Sequence, residues 1–328
     1  MKILHASLIV PFNCSKKILN LFFNNLDTWT YWPKEIILIN TNKKKIKTHD
    51  LINKMRKKKI KLKLNHQPNF YPGAARNVGI NISSHEVVCF LDIGTYASQK
   101  WFENGYKQIK KKQLSICWGN TFYLAKSNKD KIIRASTYGE NALQTLPGSI
   151  ILKKTFSVVG LFLEHIRAGE DAEWIYRVKL HKLNTCKNNN LIFYQNLLGA
   201  SYLSIVKKWF RNYSFSRRLS YLNNAREFYF LALSFFAVLI AFNWNPIFTN
   251  WGQPGYEEEL YYIPHVTKIT GSILFLTYFF LRGIYLPIKK KVKINFLIPI
   301  NFFKITLLSF LIDMTKLISF IYSRFKEN

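Results

Sequence analysis

Two acidic positions stand out as able to do chemistry. Asp92 ends the run Glu86–Leu91 (EVVCFL), whose apolar, β-rich character is that of a fully buried strand. A carboxylate at the carboxyl end of a core strand stands where open α/β sheets bind their ligands. Oxygen ligands of this kind hold divalent cations together with substrate phosphates. The second position is Gly169-Glu170-Asp171, followed by Glu173, Trp174 and Arg177. Acids in a first helical turn are favoured by the helix dipole alone. Taken by itself, then, this element is either an ordinary helix start or a pair of groups able to take a proton.

The elements that must position these acids can be read from the same chain. Pro72, Gly73, Ala74 and Ala75 are preset for a helix start or small enough for close approach, and Arg76 and Asn77 are the first long polar side chains after them. Gly94, two residues past Asp92, marks a sharp turn. Ile3–Val10 is a strand stopped by Pro11, and Ser15 caps a helix running to about Leu26 with Ile18, Leu19, Phe22 and Phe23 on one face. Glu35–Asn40 is a second strand, and Ile60–Leu64 alternates apolar residues with lysine as a half-exposed edge strand does. A helix from Ser98 to about Lys112 and strands at Leu114–Gly119 and Ser149–Leu152 follow.

Together these segments resemble family 2 glycosyltransferases, inverting nucleotide-sugar enzymes with a GT-A fold. The resemblance covers roughly residues 3–200. It rests on Ala74-Ala75-Arg76-Asn77-Val78-Gly79, on Phe90-Leu91-Asp92-Ile93-Gly94 and on Gly169-Glu170-Asp171, with weaker support from Leu8-Ile9-Val10-Pro11-Phe12-Asn13. It implies an α/β fold, a mixed and mostly parallel sheet between helices, with the donor at the strands' carboxyl ends. By the same resemblance Pro11, Asn13, Asn40, Arg76, Asn77 and Asp92 bind the donor, and Asp92 holds a divalent cation, Mg2+ or Mn2+. Asp171 is the general base, with Glu170 beside it as a supporting or acceptor-binding group; Arg177 meets the acceptor, and Trp174 either offers its ring to a sugar there or is a core tryptophan. Two positions depart from the family pattern. Gly94 stands where the metal motif has its second aspartate, and Asn40-Thr41 stand where an aspartate contacts the donor's base. With Gly94, either one carboxylate and waters suffice for the metal, or basic residues take over the phosphates.

The formal charge of +30 points to an anionic partner. No nucleic-acid motif accompanies it, and a hydrophobic content of 48% argues against disorder. Cys14, Cys89, Cys117 and Cys186 are too far apart for a CxxC pair and read as reduced thiols. The lysines of Lys43–Lys63 form a solvated face or an attraction to acidic lipid. Met1–Val10 is too short for a signal peptide, so the catalytic part is expected in the cytoplasm.

The last third changes character. Residues 203–227 mix aromatics with Lys207, Lys208, Arg211, Arg217, Arg218 and Arg226, as a basic amphipathic helix on a membrane surface does. Residues 228–328 form a membrane region, with spans at Phe228–Trp244 and Ile269–Ile288, the latter carrying Arg282 near its end, where it can snorkel. Phe302–Ile321, with Thr306, Ser309, Asp313 and Lys316 as a polar stripe, is a third span or an interfacial helix. Basic flanks around the acidic loop Glu257-Glu258-Glu259 place the flanks in the cytoplasm. The expected protein is a multi-pass membrane glycosyltransferase, residues 1–202 catalytic, acting from a nucleotide-sugar donor on a lipid-linked or polysaccharide acceptor at an anionic membrane. The alternative is a non-catalytic subunit of a polysaccharide assembly complex that keeps the fold, motivated by Gly94.

Overall fold

The computed structural model describes residues 2–46, 48–194, 201–215, 219, 235–236, 238–240 and 242–325. Its first half alternates strands and helices: β1 (Lys2–Phe12), α1 (Lys16–Leu26), β2 (Tyr31–Asn40), α2 (His49–Lys57), β3 (Lys61–His66), α3 (Pro72–Ile82) and β4 (Val87–Phe90). The parallel strands of this half lie in the order β3-β2-β1-β4. Crossover helices cover both faces, so β1 and β2 read as continuous apolar runs. Successive residues of β1 nonetheless alternate between two cores. Leu8, Val10 and Phe12 face α1 and α4 (Trp101–Lys112), packing with Phe22, Phe23, Trp101 and Phe102. Ile9 faces the other way, with Ala75, Phe90, Phe162 and Trp174. The α3 helix lies flush on that second face, because a Cβ on Gly79 would meet Ile9 Cγ2 at 2.4 Å.

Beyond β4 the sheet becomes mixed. The short β5 (Thr95–Ala97) is followed by α4, β6 (Ile116–Tyr123), α5 (Asn128–Ser136), β7 (Leu143–Leu152), α6 (Thr155–Val159), α7 (Glu170–Leu180), β8 (Thr185–Lys187) and β9 (Ile192–Tyr194). Strand β7 runs antiparallel to both β4 and β6, while β8 and β9 pair parallel with β6. The α/β architecture matches the expected one. The structure adds α5, β5, β8 and β9, and starts β7 six residues before Ser149. Pro147-Gly148 has the chemistry of a turn, but the strand runs through it: Ser149 Oγ donates to Thr145 O at 2.8 Å, and Gly148 has φ +82.

The C-terminal part packs onto this domain. Helices α8 (Tyr202–Tyr213), α9 (Val266–Lys289) and α10 (Asn301–Phe325) follow. Ile205, Ile305, Leu308 and Ile312 form a third core with Tyr123, Ile132 and Ile133. Helices α9 and α10 are each long and apolar enough to cross a membrane, with 6% and 41% of their apolar windows buried. Arg282 does not snorkel from α9. Asp313 on α10 lies within reach, and the two pair at 2.8 Å. The polar stripe of α10 is thus turned inward, with Ser309 buried and Asp313 also bonded by Tyr278 and Lys316. Most of Phe228–Trp244, together with Arg217, Arg218 and Arg226, lies outside the described residues.

Candidate active site

Parallel strands β1, β2 and β4 all end on one edge of the sheet, in the register Phe12↔Asn40 and Ile9↔Phe90. That edge collects Pro11, Asn13, Asn40 and Asp92. Thr41 ties two strand ends together, its N–H and hydroxyl both donating to Phe12 O, while Asn13 Nδ2 donates to Thr41 O at 3.4 Å. Asn40 is fully buried. Its Oδ1 accepts from the backbone and side chain of Asn42, and among the described residues its Nδ2 has no partner. A buried N–H left unpaired costs free energy until an acceptor arrives.

Asp92 follows β4 by two residues, and Thr95 N–H and Oγ1 both donate to its carbonyl, closing the turn. Its carboxylate is 31% exposed and has two donors. Arg76 NH2 reaches Oδ1 at 3.2 Å, and the Tyr194 hydroxyl donates to Oδ2. Next to Asp92, a Cβ on Gly94 would meet nothing within 4 Å, so the place of a second carboxylate is open space.

Arg76 joins the two acidic positions that are far apart in sequence. Pro72 starts α3 at its first turn, and the small residues after it bring Arg76 into the interior at 4% exposure. Its NH1 donates to Glu170 Oε1 at 2.6 Å while NH2 holds Asp92. Asp92, Glu170 and Asp171 all hold this guanidinium in its charged form against the cost of burial. Gly169, at φ +90 in the left-handed region, turns the chain into α7, so Glu170 and Asp171 open the helix. Glu170 is buried, and burial pushes its carboxyl up to about 7; Arg76 opposes this and Asp171 reinforces it. Asp171 is half-buried, and its Oδ1 accepts from Ala172 N–H.

Three expected contacts take other duties. Asn77 uses its whole amide on the segment before α7: Nδ2 donates to Phe162 O and Glu164 Oε1, and Oδ1 accepts from Phe162 N–H. Trp174 is fully buried among Trp118, Phe156 and Phe162, with Nε1 on Gly160 O, so its ring cannot face a sugar. Arg177 is likewise committed, its guanidinium bonded to Glu173 and to the carbonyls of Val159 and Leu161. A helix reading of α7 explains both corrections. Trp174 lies on the inward face with Val178, and Arg177 lies one turn past Glu173.

Sequence reasoning missed Tyr194, which sits on a three-residue strand. The run Leu191–Tyr194 is apolar and β-rich, but too short to register against its polar neighbours. Arg211, on α8, also borders the site: burial and the neighbouring Arg167 lower its pKa, while Glu170 raises it.

Residues 7–169 match the family described as Glycosyl transferase family 2. In fold the chain is similar to the mannosyltransferase PcManGT from Pyrobaculum calidifontis, whose structure is in complex with GDP-Man and Mn2+. The TM-score is 0.56 at 9% identity, over 98% of this chain and 88% of that one. TarS 1-349 of S. aureus, solved in complex with UDP-GlcNAc, aligns with a TM-score of 0.45 at 16% identity, over 66% of this chain and 68% of that one. No curated protein matches the sequence.

Proposed function

We propose that this chain, whose residues 7–169 match glycosyl transferase family 2, moves a sugar, with inversion, from a nucleotide-sugar donor to a lipid-linked or polysaccharide acceptor at a membrane. The observation that carries this reading is the bridge made by Arg76. One guanidinium fixes the strand-end carboxylate Asp92 and the helix-start carboxylate Glu170, which sets Asp171 at a defined place relative to the donor edge.

In this reading the donor lies along the ends of β1, β2 and β4, with Asn40 beneath its base and Asp92 at its phosphates. The residues present suit a divalent cation as a one-carboxylate site. Asp92 is partly exposed beside the open space at Gly94, and among the described residues no group of three or more His, Cys, Asp or Glu gathers. A single protein carboxylate with substrate phosphates is a common way to hold Mg2+. Such a cation, when bound, offsets the charge of the diphosphate. Asp171 takes the proton of the acceptor hydroxyl as that oxygen attacks the anomeric carbon. The bond to the diphosphate breaks on the opposite side, and its electron pair leaves with the nucleoside diphosphate, so the anomeric centre inverts. Glu170 holds Arg76 and does not meet the acceptor.

The membrane assignment draws on α9, which exposes Ile273, Phe275, Leu276 and Phe280 along a charge-free length. We assign residues 1–202 to the catalytic domain, 203–227 to an interfacial segment and 228–328 to the membrane region, with the catalytic side cytoplasmic. Purified protein, incubated with a panel of UDP- and GDP-sugars and Mg2+ or Mn2+, should release nucleoside diphosphate in a sugar-selective way. No turnover of any donor, with or without a membrane extract as acceptor, would reject the catalytic reading. A reporter inserted near Glu258 should face away from one placed ahead of α8; two cytoplasmic reporters would reject the spans.

A further inference from the structure

Asp92 is held on two sides, and only one holder belongs to the motifs above. Arg76 takes Oδ1, while Oδ2 takes the hydroxyl of Tyr194 from the far end of the sheet. Two donors from different elements fix both the position of a carboxylate and the rotation of its plane. Tyr194 is itself firmly placed. On β9 it pairs with Tyr123 of β6, and their rings stack at 5.4 Å with an interplanar angle of 8°. Tyr123 stacks in turn on Tyr138, at 3.8 Å and 9°. Tyr138 is held at its outer end by Lys208 of α8, whose Nζ donates to its hydroxyl at 2.8 Å, and by the ring of Trp209. Phenylalanine would fill the same stack, so packing does not account for the hydroxyl.

We propose that Tyr194 is a positioning residue of the donor site, turning the Asp92 carboxylate toward the divalent cation that would hold the donor's diphosphate, from the end of an aromatic stack anchored on α8. With no side chain at Gly94 to share the task, the orientation of this one carboxylate decides how well the diphosphate is held. The inference rests on the reading of Asp92 as the donor carboxylate, and its test separates the two.

The full-length protein in detergent with Mg2+ is titrated with UDP, GDP, UMP and GMP by calorimetry, as wild type, Tyr194→Phe, Asp92→Ala and the double variant. Tyr194→Phe should weaken the preferred diphosphate by about tenfold, the scale of one hydrogen bond to a charged group, and leave its monophosphate within about twofold. In the Asp92→Ala background the same change should have no further effect, because nothing remains to be turned. Equal losses for diphosphate and monophosphate would mean a collapsed sheet edge and overturn the positioning role, as would full diphosphate affinity in Tyr194→Phe. An Asp92→Ala variant that binds diphosphate like the wild type would remove the underlying reading and this inference with it.

Discussion

The molecule builds nearly the same polar cluster twice, once at the sheet edge and once between the C-terminal helices. In the first, Asp92 is bonded by Arg76 and by the hydroxyl of Tyr194. In the second, Asp313 is bonded by Arg282 and by the hydroxyl of Tyr278. Their surroundings differ. Around Asp92, three acids, Asp92, Glu170 and Asp171, converge on Arg76, with Arg211 and Arg167 toward the Glu170 end. Around Asp313 two cations, Arg282 and Lys316, serve one acid. The first cluster leaves Asp92 partly exposed beside open space at Gly94, with room for a cation and a substrate. The second is saturated and joins two apolar helices. On the proposed reading the same Arg–Asp–Tyr geometry is a site in one place and a fastening in the other. Open space beside the carboxylate distinguishes the two, and residue type does not.

The largest effect expected from breaking the first cluster is on Asp171. Asp171→Asn is nearly isosteric and away from the phosphates, so nucleotide affinity should hold. Transfer should fall by about 10²–10⁴-fold, the usual loss with a general base. Glu170→Gln should cost less, since it weakens the hold on Arg76 without touching the acceptor. Transfer rates on both variants decide the order: survival in Asp171→Asn with loss in Glu170→Gln would hand the base role to Glu170.

Asp92 comes next. Asp92→Asn keeps the shape of the side chain and removes the charge a cation needs. Diphosphate affinity should drop by about tenfold or more, as for lost hydrogen bonds to a charged group, and it should no longer respond to a chelator. Wild-type affinity that is itself indifferent to a chelator would show that the phosphates rely on basic residues, with Arg211, which faces both Glu170 and Arg167, a candidate among the described residues.

Much of the first cluster is legible in the sequence because each part is local. A buried strand ends on Asp92, a proline starts the helix that carries Arg76, and a glycine precedes the acids at 170 and 171. Their meeting is not legible, since the Arg76–Glu170 pair spans 94 positions and depends on how α3 and α7 dock. Tyr194 is hidden for the same reason: it reaches Asp92 across 102 positions from a strand of three residues. Trp174 and Arg177 show the converse. They share the acids' helix, but side-chain direction around α7 sends the tryptophan into the core and the arginine back onto carbonyls. The second cluster shows in the sequence only as a stripe on α10 with Arg282 near the end of α9, because its pairing needs two helices at once.

A smaller effect concerns pH. Burial raises the Glu170 carboxyl from its ordinary 4.5 to about 7, with Asp171 reinforcing this and Arg76 opposing it. The folded chain thus binds that proton more tightly than the unfolded chain does. The resulting stabilisation is complete below about pH 4.5 and is lost as pH rises through about 7. Glu170→Gln has no proton to gain, so its melting temperature should fall less than that of the wild type between pH 5 and pH 8. Parallel melting curves for the two proteins would refute the buried, proton-binding state of Glu170.

The smallest effect, and the one that tests the comparison most directly, lies in the second cluster. On the proposed membrane assignment, a polar pair between apolar helices contributes modestly, because the separated helices also find partners in the bilayer: about 1 kcal/mol is typical. Asp313→Asn leaves Arg282 and Lys316 with a neutral acceptor and should lower resistance to unfolding in detergent by about that amount. Nucleotide affinity should stay at the wild-type level, since the variant touches no residue of the donor edge. Asp92→Asn should do the reverse, losing affinity while largely keeping stability, because the buried Arg76 still pairs with Glu170 at 2.6 Å. Denaturation curves and nucleotide titrations on the same two preparations separate the outcomes. If Asp313→Asn also weakened nucleotide binding, the helices would be part of the site. If Asp92→Asn also destabilised the fold, the first cluster would be as much a fastening as the second.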